Sequence, residues 1–178
     1  MLPDNVSFQT AAPLACAGVT VWGGLVRAGL KAGETVAIVG GGGGLGHLGV
    51  QFAKALGLHV IAIDARDEAL SLAKECGADT LVDARSGKEK VVEEVKKVTR
   101  GQGADATLNV SDHESAAATG AAVTKMHGTL LLCSELLFMQ VILICSRNSR
   151  TDSSANECER PISGASLSRH KDPWQSYQ

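Results

Sequence analysis

Six of the seven residues between positions 40 and 46 are glycines, and the exception is Leu45. Within this run, Gly41, Gly43 and Gly46 have the spacing G-x-G-x-x-G. Residues without a Cβ allow a tight turn and let backbone N–H groups approach a phosphate closely. The spacing alone is weak evidence, because glycine runs also occur in flexible linkers. The elements on either side of the run therefore decide what it does.

A strand is predicted directly before the glycine run and a helix directly after it. Residues 35–39 form an unbroken run of mostly β-branched side chains, which is typical of a strand buried on both faces. Apolar residues then recur at helical spacing from Leu45 to Leu56. Asp64 ends the next apolar run, about 20 residues after the turn, where a carboxylate can bind an adenosine ribose. Together these elements predict a dinucleotide-binding site.

The predicted ligand is NAD rather than NADP. A carboxylate at Asp64 would accept hydrogen bonds from both ribose hydroxyls and would repel a 2′-phosphate. A helix beginning near Gly44 would present N–H groups and the positive end of its dipole to the diphosphate. Arg66 would weaken the discrimination against a phosphorylated ribose. Two alternatives stay open: a glycine turn that binds no ligand, and a solvated carboxylate at Asp64.

Short apolar runs that predict strands alternate up to Leu132 with longer segments whose apolar residues have helical spacing. This strand–helix–strand order produces a parallel sheet. After the second strand at residues 59–63, further strands are predicted at 80–82, 106–110 and 128–132. Helix starts are predicted from capping residues: Asp67 as an N-cap, and Ser86 with Glu89 and Ser111 with Glu114 as capping boxes. The expected fold class is α/β, a Rossmann-type doubly wound parallel sheet of five strands that is incomplete at its C-terminal end.

Composition divides the 178 residues into three segments. Residues 1–33 are a lead-in segment rich in small residues, and residues 34–132 are the NAD-binding domain. Residues 133–178 are expected to be a divergent, disordered tail, because most of that segment is polar and has no hydrophobic period. Its apolar run at 136–145 is too short to span a membrane and would either dock as an edge strand or promote aggregation.

The charges exclude some classes of partner. The net charge is −2, from 17 basic and 19 acidic residues that are well mixed, so neither nucleic acid nor a membrane surface is an expected partner. Five cysteines without C-x-x-C spacing predict neither a disulfide framework nor a zinc knuckle. The N-terminus has no pattern typical of a secretory signal. We expect a cytoplasmic protein.

Two stretches, residues 14–22 (LACAGVTVW) and 43–51 (GGLGHLGVQ), resemble fungal and bacterial zinc-dependent, medium-chain alcohol dehydrogenases. The resemblance covers about residues 2–132 and implies reversible oxidation of a small alcohol to an aldehyde by NAD, in a homo-oligomer. It implies that Cys16 is a zinc ligand and that Thr20 packs beside the nicotinamide. It also implies that Val110 and Ser111 lie along the adenosine side of the cofactor.

The chain also departs from this family. It has no upstream G-H-E motif or four-cysteine lobe, and Ala69 replaces a basic residue that is usual after the ribose-binding aspartate. A catalytic zinc needs three protein ligands, of which only Cys16 is present, so we expect a truncated chain that is inactive alone. A small buried thiol is the alternative for Cys16. The alternative functions are a stand-alone NAD-binding or interaction module without catalysis and a zinc-independent quinone reductase, against which Cys16 argues.

Overall fold

The computed structural model describes residues 3–133 and 140–143. Within them, six strands form one sheet: β1 (Thr35–Val39), β2 (His59–Asp64), β3 (Thr80–Asp83), β4 (Ala104–Asn109), β5 (Thr124–Leu132) and β6 (Gln140–Leu143). Their order is β3-β2-β1-β4-β5-β6, and the first five strands run parallel. The predicted α/β class and doubly wound parallel sheet are confirmed. The connections reverse direction between β1 and β4, which is the topological switch point of such folds.

Helices cover both faces of the sheet. Those described are α1 (Phe8–Pro13), α2 (Val19–Ala28), α3 (Gly46–Ala55), α4 (Asp67–Glu75), α5 (Lys88–Val98) and α6 (Ala116–Val123). Val50 of α3 and Ala73 of α4 belong to one core cluster, whereas Val91 of α5 and Val123 of α6 belong to the other. Because the strands are buried on both sides, β1 reads as a continuous apolar run in the sequence.

Two of the predicted helix starts differ from the structure, one by a single residue and the other by four residues, about one turn. The hydroxyl of Ser86 donates to the carbonyl oxygen of Asp83 at 2.7 Å, and Gly87 occupies the N-cap position of α5. Ser111 accepts from the N–H of His113 at 3.4 Å, while the N-cap residue of α6 is Ser115. In both places the serine binds a nearby backbone group of its own turn, which competes with helix capping.

The start of α4 also differs slightly from the prediction. Asp67 is the first residue of the helix, and Arg66 occupies the N-cap position without a side-chain capping bond. The carboxylates of Asp67 and Glu68 therefore lie in the first turn, where negative charge is favourable beside the positive end of the helix dipole.

An irregularity in β5 explains why its start was predicted too late. Ala104 pairs with Thr124 but Ala106 pairs with Thr129, so extra residues of β5 bulge out between these pairs. His127 in the bulge has a positive φ of 60°. A bulge interrupts the alternation by which a strand is recognised, so β5 begins earlier than the sequence predicted. β4 also begins two residues before its predicted start, at Ala104.

β6 is the edge strand predicted within residues 136–145. It lies antiparallel to β5, with Gln140 opposite Leu132 and Leu143 opposite Thr129. Residues 140–143 are therefore a correction to the disordered tail expected over residues 133–178. The rest of that segment, residues 134–139 and 144–178, lies outside the described residues.

The lead-in segment contains a longer apolar run than residues 136–145. The helical stretch Phe8–Ala28, in which a π-helical turn joins α1 to α2, has a mean hydropathy of 1.3 and could span a membrane by length and composition alone. In the structure, Val21 and Leu25 are almost fully buried against the sheet, whereas Trp22 and Val26 on the other face are exposed. A helix packed on a protein core passes the same composition test.

Cys133, which follows β5, provides a chemical check on this packing. Burial raises the pKa of its thiol to about 11, and the charge of Arg27 opposes this effect weakly. Because the thiolate is the reactive species, we expect iodoacetamide to modify Cys133 at pH 8 at least about tenfold more slowly than the exposed Cys16. Mass spectrometry of the two tryptic peptides over time measures the rates. Similar rates would contradict the burial of Cys133.

Candidate functional site

A glycine turn joins β1 to α3 at the carboxyl end of the sheet. Gly40 has a φ of +85°, and its N–H donates to the carbonyl oxygen of Ile63 in β2 at 2.8 Å. The N–H of Gly43 donates to the carbonyl oxygen of Gly40 at 3.0 Å, which closes the turn. A positive φ is readily adopted by glycine and strained for other residues. The turn therefore follows from the sequence and lies at the switch point, where ligands of this fold class bind.

Three glycines of the turn leave no room for a Cβ. Such an atom would lie 2.8 Å from Cβ of Ala62 at Gly41, would overlap the carbonyl oxygen of Ala69 at Gly42, and would overlap the carbonyl oxygen of Gly40 at Gly46. Gly44, by contrast, faces open space. Gly41 thus packs the turn against β2, and Gly46 packs the start of α3 against the turn. Gly42 was not among the predicted site residues, although it packs directly against the backbone of α4.

Asp64 ends β2 with its carboxylate held by backbone donors. Oδ2 accepts from the N–H of Gly42 at 3.2 Å, and Oδ1 accepts from the N–H groups of Ala65 at 2.8 Å and Arg66 at 3.3 Å. The side chain is only 6% exposed. A carboxylate has about four lone-pair positions, two on each oxygen, so one position on Oδ2 remains for a hydroxyl of a ligand. Asp64 also ties the glycine turn to β2, a role that was not predicted.

A cleft of about 640 Å³ lies beside the turn, within the size range of small-molecule sites. It is lined by Gly43 and Asp64 on the turn side and by Val110 and Ser111 after β4. A Cβ at Gly40 would lie 3.2 Å from Cβ of Ser111, so the two loops are in contact. Four of the predicted cofactor residues thus meet at one cleft. The other four predicted cofactor residues belong to the turn or to the start of α3 and do not line the cleft: Gly41, Gly44, Leu45 and Gly46.

Charged side chains line the same cleft. The Nε of Arg66 lies 3.5 Å from Oδ1 of Asp64, and this arginine side chain is 63% exposed. Arg85 is held more firmly, because its guanidinium donates to the carboxylates of Asp83 and Asp67. Side-chain and then backbone hydrogen bonds from Arg85 hold the pKa of Asp83 below its ordinary value. Of the two arginines, Arg66 therefore has the weaker contacts.

His113 lies in the cleft as well and was not predicted to do so. Its Nδ1 accepts from the N–H of Ser115 at 3.3 Å and lies 2.9 Å from the hydroxyl oxygen of that serine. A backbone N–H can only donate, so Nδ1 is the acceptor nitrogen and a neutral ring carries its proton on Nε2. His113 therefore adds a donor at the rim beside Ser111. The sequence shows only a His-x-Ser pattern, which gives no sign of this arrangement.

Cys16 and Thr20 lie outside the cleft, on the N-terminal helical stretch. The hydroxyl of Thr20 donates to the carbonyl oxygen of Cys16 at 3.0 Å, and the thiol of Cys16 is exposed rather than buried. In the part of the chain that the structure describes, no group of three His, Cys, Asp or Glu side chains is placed to hold a metal ion. These residues therefore do not fit a catalytic zinc, which needs three protein ligands.

A second cleft, of about 600 Å³, lies at the amino ends of the strands, opposite the first cleft. It is lined by Gly33 and Thr35 before and at the start of β1, and by Gly103 and Asp105 at the start of β4. The carboxylate of Asp105 is engaged by the N–H of Thr35 at 2.7 Å and by the ammonium group of Lys125. Ligands of parallel α/β sheets bind at the carboxyl ends of the strands, so the first cleft is the better candidate.

Comparison with known proteins gives the family. Residues 44–148 match the family model described as zinc-binding dehydrogenase. The chain is 38% identical to alcohol dehydrogenase 1 of Emericella nidulans over 130 residues. This aligned region covers 73% of this chain and 37% of that protein. The family match extends past Leu132, where the resemblance was expected to end, and includes β6.

Solved structures agree with this match. An alcohol dehydrogenase from Aeropyrum pernix is 36% identical, with a TM-score of 0.66, over 74% of this chain and 39% of that one. A quinone oxidoreductase from Pseudomonas syringae pv. Tomato is 30% identical, with a TM-score of 0.65, over 72% and 39%. The chain thus spans about two fifths of the length of these proteins. It belongs to the zinc-binding dehydrogenase family, as its resemblance to the zinc-dependent, medium-chain alcohol dehydrogenases predicted.

Proposed function

We propose that this chain is the NAD-binding part of a zinc-dependent alcohol dehydrogenase, which interconverts a small alcohol and its aldehyde or ketone. The observation that carries the proposal is the convergence of the glycine turn and the buried carboxylate of Asp64 on one cleft at the switch point. Bound NAD would supply the hydride acceptor for this reaction. We further propose a cytoplasmic, homo-oligomeric enzyme, by analogy with the family.

The cradle that a dinucleotide needs is made by residues of this chain. The first N–H groups of a helix have no partner in their own helix. At the start of α3 the N–H of His47 already donates to the carbonyl oxygen of Gly43 at 3.0 Å, so the candidate donors are the N–H groups of Gly44, Leu45 and Gly46. These donors would bind the diphosphate. The remaining lone pair on Oδ2 of Asp64 would accept a ribose hydroxyl, and Val110 and Ser111 would contact the adenosine side. The role of Thr20 beside the nicotinamide has only the family resemblance in its support.

Two observations favour the alcohol dehydrogenase over the quinone reductase. Sequence identity is higher to the alcohol dehydrogenases, at 38% and 36%, than to the quinone oxidoreductase, at 30%. Cys16 also occupies the position that the resemblance gives to a zinc ligand, and its thiol is exposed and accessible to other ligands. A stand-alone NAD-binding module would bind the cofactor equally well, so cofactor binding does not distinguish it from the proposed function.

Calorimetric titration with NADH tests the cofactor assignment. We expect saturable binding of one NADH per chain, weaker than in the longer relatives because this chain spans only part of their length. Competition by adenosine 5′-diphosphoribose, which lacks the nicotinamide, would show that the adenosine half carries the affinity. Absence of NADH binding by a folded chain would contradict the proposed function.

A polypeptide of these 178 residues is expected to show no ethanol-dependent reduction of NAD and to carry well under one zinc per chain. The reason is that Cys16 has no described partners with which to complete a three-ligand site. The absorbance of NADH at its near-ultraviolet maximum measures turnover, and atomic absorption measures zinc. Turnover that a chelator abolishes would contradict this expectation and would favour a zinc site completed by residues outside the described part.

A further inference from the structure

Arg100 occupies a backbone position that usually belongs to glycine. The last turn of α5 is closed by the N–H of Gly101, which donates to the carbonyl oxygen of Lys96 at 2.7 Å, and Arg100 within it has a φ of 55°. A residue with a Cβ is strained in this left-handed conformation. Equivalent bonds close α3 and α4, where the left-handed residues are Gly57 and Gly77. Strained residues concentrate at functional sites, where the side chain has a role that offsets the strain.

The strained arginine lines the second cleft, at the amino ends of β1, β2 and β4. With about 600 Å³, this cleft is far larger than an inorganic ion and lies in the size range of small-molecule sites. The hydroxyl of Thr99 donates to the carbonyl oxygen of Val95 at 2.8 Å and accepts from the N–H of Gly103 at 2.9 Å. The backbone that carries Arg100 is therefore held in place on both sides.

The other charged side chains at this cleft are already paired. The ammonium group of Lys54 donates to both carboxylate oxygens of Asp79, at 2.8 and 2.9 Å. The carboxylate of Asp105 accepts from the ammonium group of Lys125. Within the described part of the chain, Arg100 forms no ion pair. The cleft therefore presents a guanidinium whose charge these pairs do not compensate.

This guanidinium favours a ligand that carries a single negative charge. Its planar fork of donors fits a carboxylate or a phosphate group. However, α3 and α5 both end beside the cleft, and the negative ends of their dipoles disfavour a doubly charged anion. Val98, the last residue of α5, lines the cleft and is 44% exposed, so it can contact an apolar group of the ligand.

We propose that the second cleft binds a small organic carboxylate, with Arg100 paired to the carboxylate group and Val98 packed against the apolar part. The inference goes beyond the proposed function, because this cleft shares no lining residue with the candidate cofactor cleft at the other end of the strands. It also gives a reason for an arginine at the end of α5, where glycine would be less strained.

NMR titration of the full, isotope-labelled chain with benzoate tests the proposal, and benzyl alcohol is the neutral counterpart of this probe. We expect benzoate to shift the N–H signals of residues 57–59 and 98–105 with a dissociation constant on the order of 1 mM. Benzyl alcohol lacks the charge and inorganic phosphate lacks the apolar part, so each should bind at least about tenfold more weakly.

Arg100→Gly separates binding from folding, because it removes the strain together with the charge. The variant should unfold at a temperature about 2–4 °C higher than the wild type and should bind benzoate at least about tenfold more weakly. Its affinity for NADH should not change. Arg27→Ala is the matched control, since it removes the same charge from α2, outside both clefts, and it should leave benzoate binding unchanged.

Three results would overturn the inference and leave the proposed function intact, because NADH binds elsewhere. One is benzoate binding that Arg100→Gly does not weaken. Another is binding of benzyl alcohol or inorganic phosphate as tight as that of benzoate. The third is a lower unfolding midpoint for Arg100→Gly, which would mean that the arginine stabilises the end of α5. Loss of NADH binding in the wild type would instead contradict the proposed function alone.

Discussion

Asp64→Asn weakens NADH binding by about 1.5–3 kcal/mol, the range for a hydrogen bond to a charged group, and leaves NADPH binding unchanged or stronger. The carboxylate would accept a ribose hydroxyl of NADH on Oδ2, and an amide replaces one acceptor oxygen with a donor. The same change removes the negative charge that opposes a 2′-phosphate. Calorimetric titration of the wild type and the variant with both cofactors measures the effect.

Asparagine tests ribose recognition by Asp64 more specifically than alanine does. Alanine would leave the N–H groups of Gly42, Ala65 and Arg66 without their acceptor, so a loss of binding would mix ribose recognition with a loosened turn. Asparagine has the same shape and retains one acceptor oxygen for the N–H groups of Ala65 and Arg66. Its amide nitrogen would face the N–H of Gly42, and we expect this lost acceptor to cost about 1–3 kcal/mol of folding stability, less than alanine, which removes all three. Equal NADH affinity in the two proteins would show that Asp64 does not bind the ribose.

Gly46→Ala destabilises the fold by about 3 kcal/mol, at the upper end of the cost of overpacking. The new methyl group would overlap the carbonyl oxygen of Gly40 and would lie 2.7 Å from the carbonyl carbon of Gly41. Backbone atoms of a closed turn cannot move aside as a flexible side chain can, so α3 must shift away from the turn. Thermal unfolding followed by circular dichroism should show a midpoint lowered by about 10 °C.

Gly44→Ala is the matched control for this effect on stability. No heavy atom lies within 4 Å of a Cβ at Gly44, and its φ is not in the left-handed region. The substitution should leave the unfolding midpoint unchanged or slightly raised, because alanine has fewer unfolded conformations than glycine. A midpoint for Gly46→Ala within about 2 °C of this control would contradict the close packing of α3 on the turn.

The region from β1 to β2 was predictable almost to the residue. A buried β-branched run, a glycine turn and a helical period each depend on residues close together in the sequence. The helix starts predicted from Ser86 and Ser111 were wrong, because a serine side chain can hydrogen-bond a backbone group of its own turn as readily as it caps a helix. β6 was foreseeable only as an apolar run, since its partner and direction depend on the edge that β5 leaves open.

The candidate site was only partly predictable for the same reason. Asp64 and the glycines follow from spacing, but the contact of Gly42 with the backbone of Ala69 joins two elements separated by β2. The position of Arg66 beside Asp64 and Gly43 depends on how α4 begins. His113 reaches the cleft because the loop after β4 packs on the turn, which no local pattern in the sequence indicates.

The central position of β1 has a consequence for how the molecule opens. Strands in the middle of a sheet exchange their amide hydrogens through the largest, rarest openings, whereas edge strands fray at low cost. β1 is paired along its length with both β2 and β4, and the N–H of Gly40 extends the pairing to Ile63 of β2. The part of β1 that lines the candidate cleft therefore belongs to the most cooperative unit of the domain, and it remains paired when β3 and β6 fray at the two edges of the sheet.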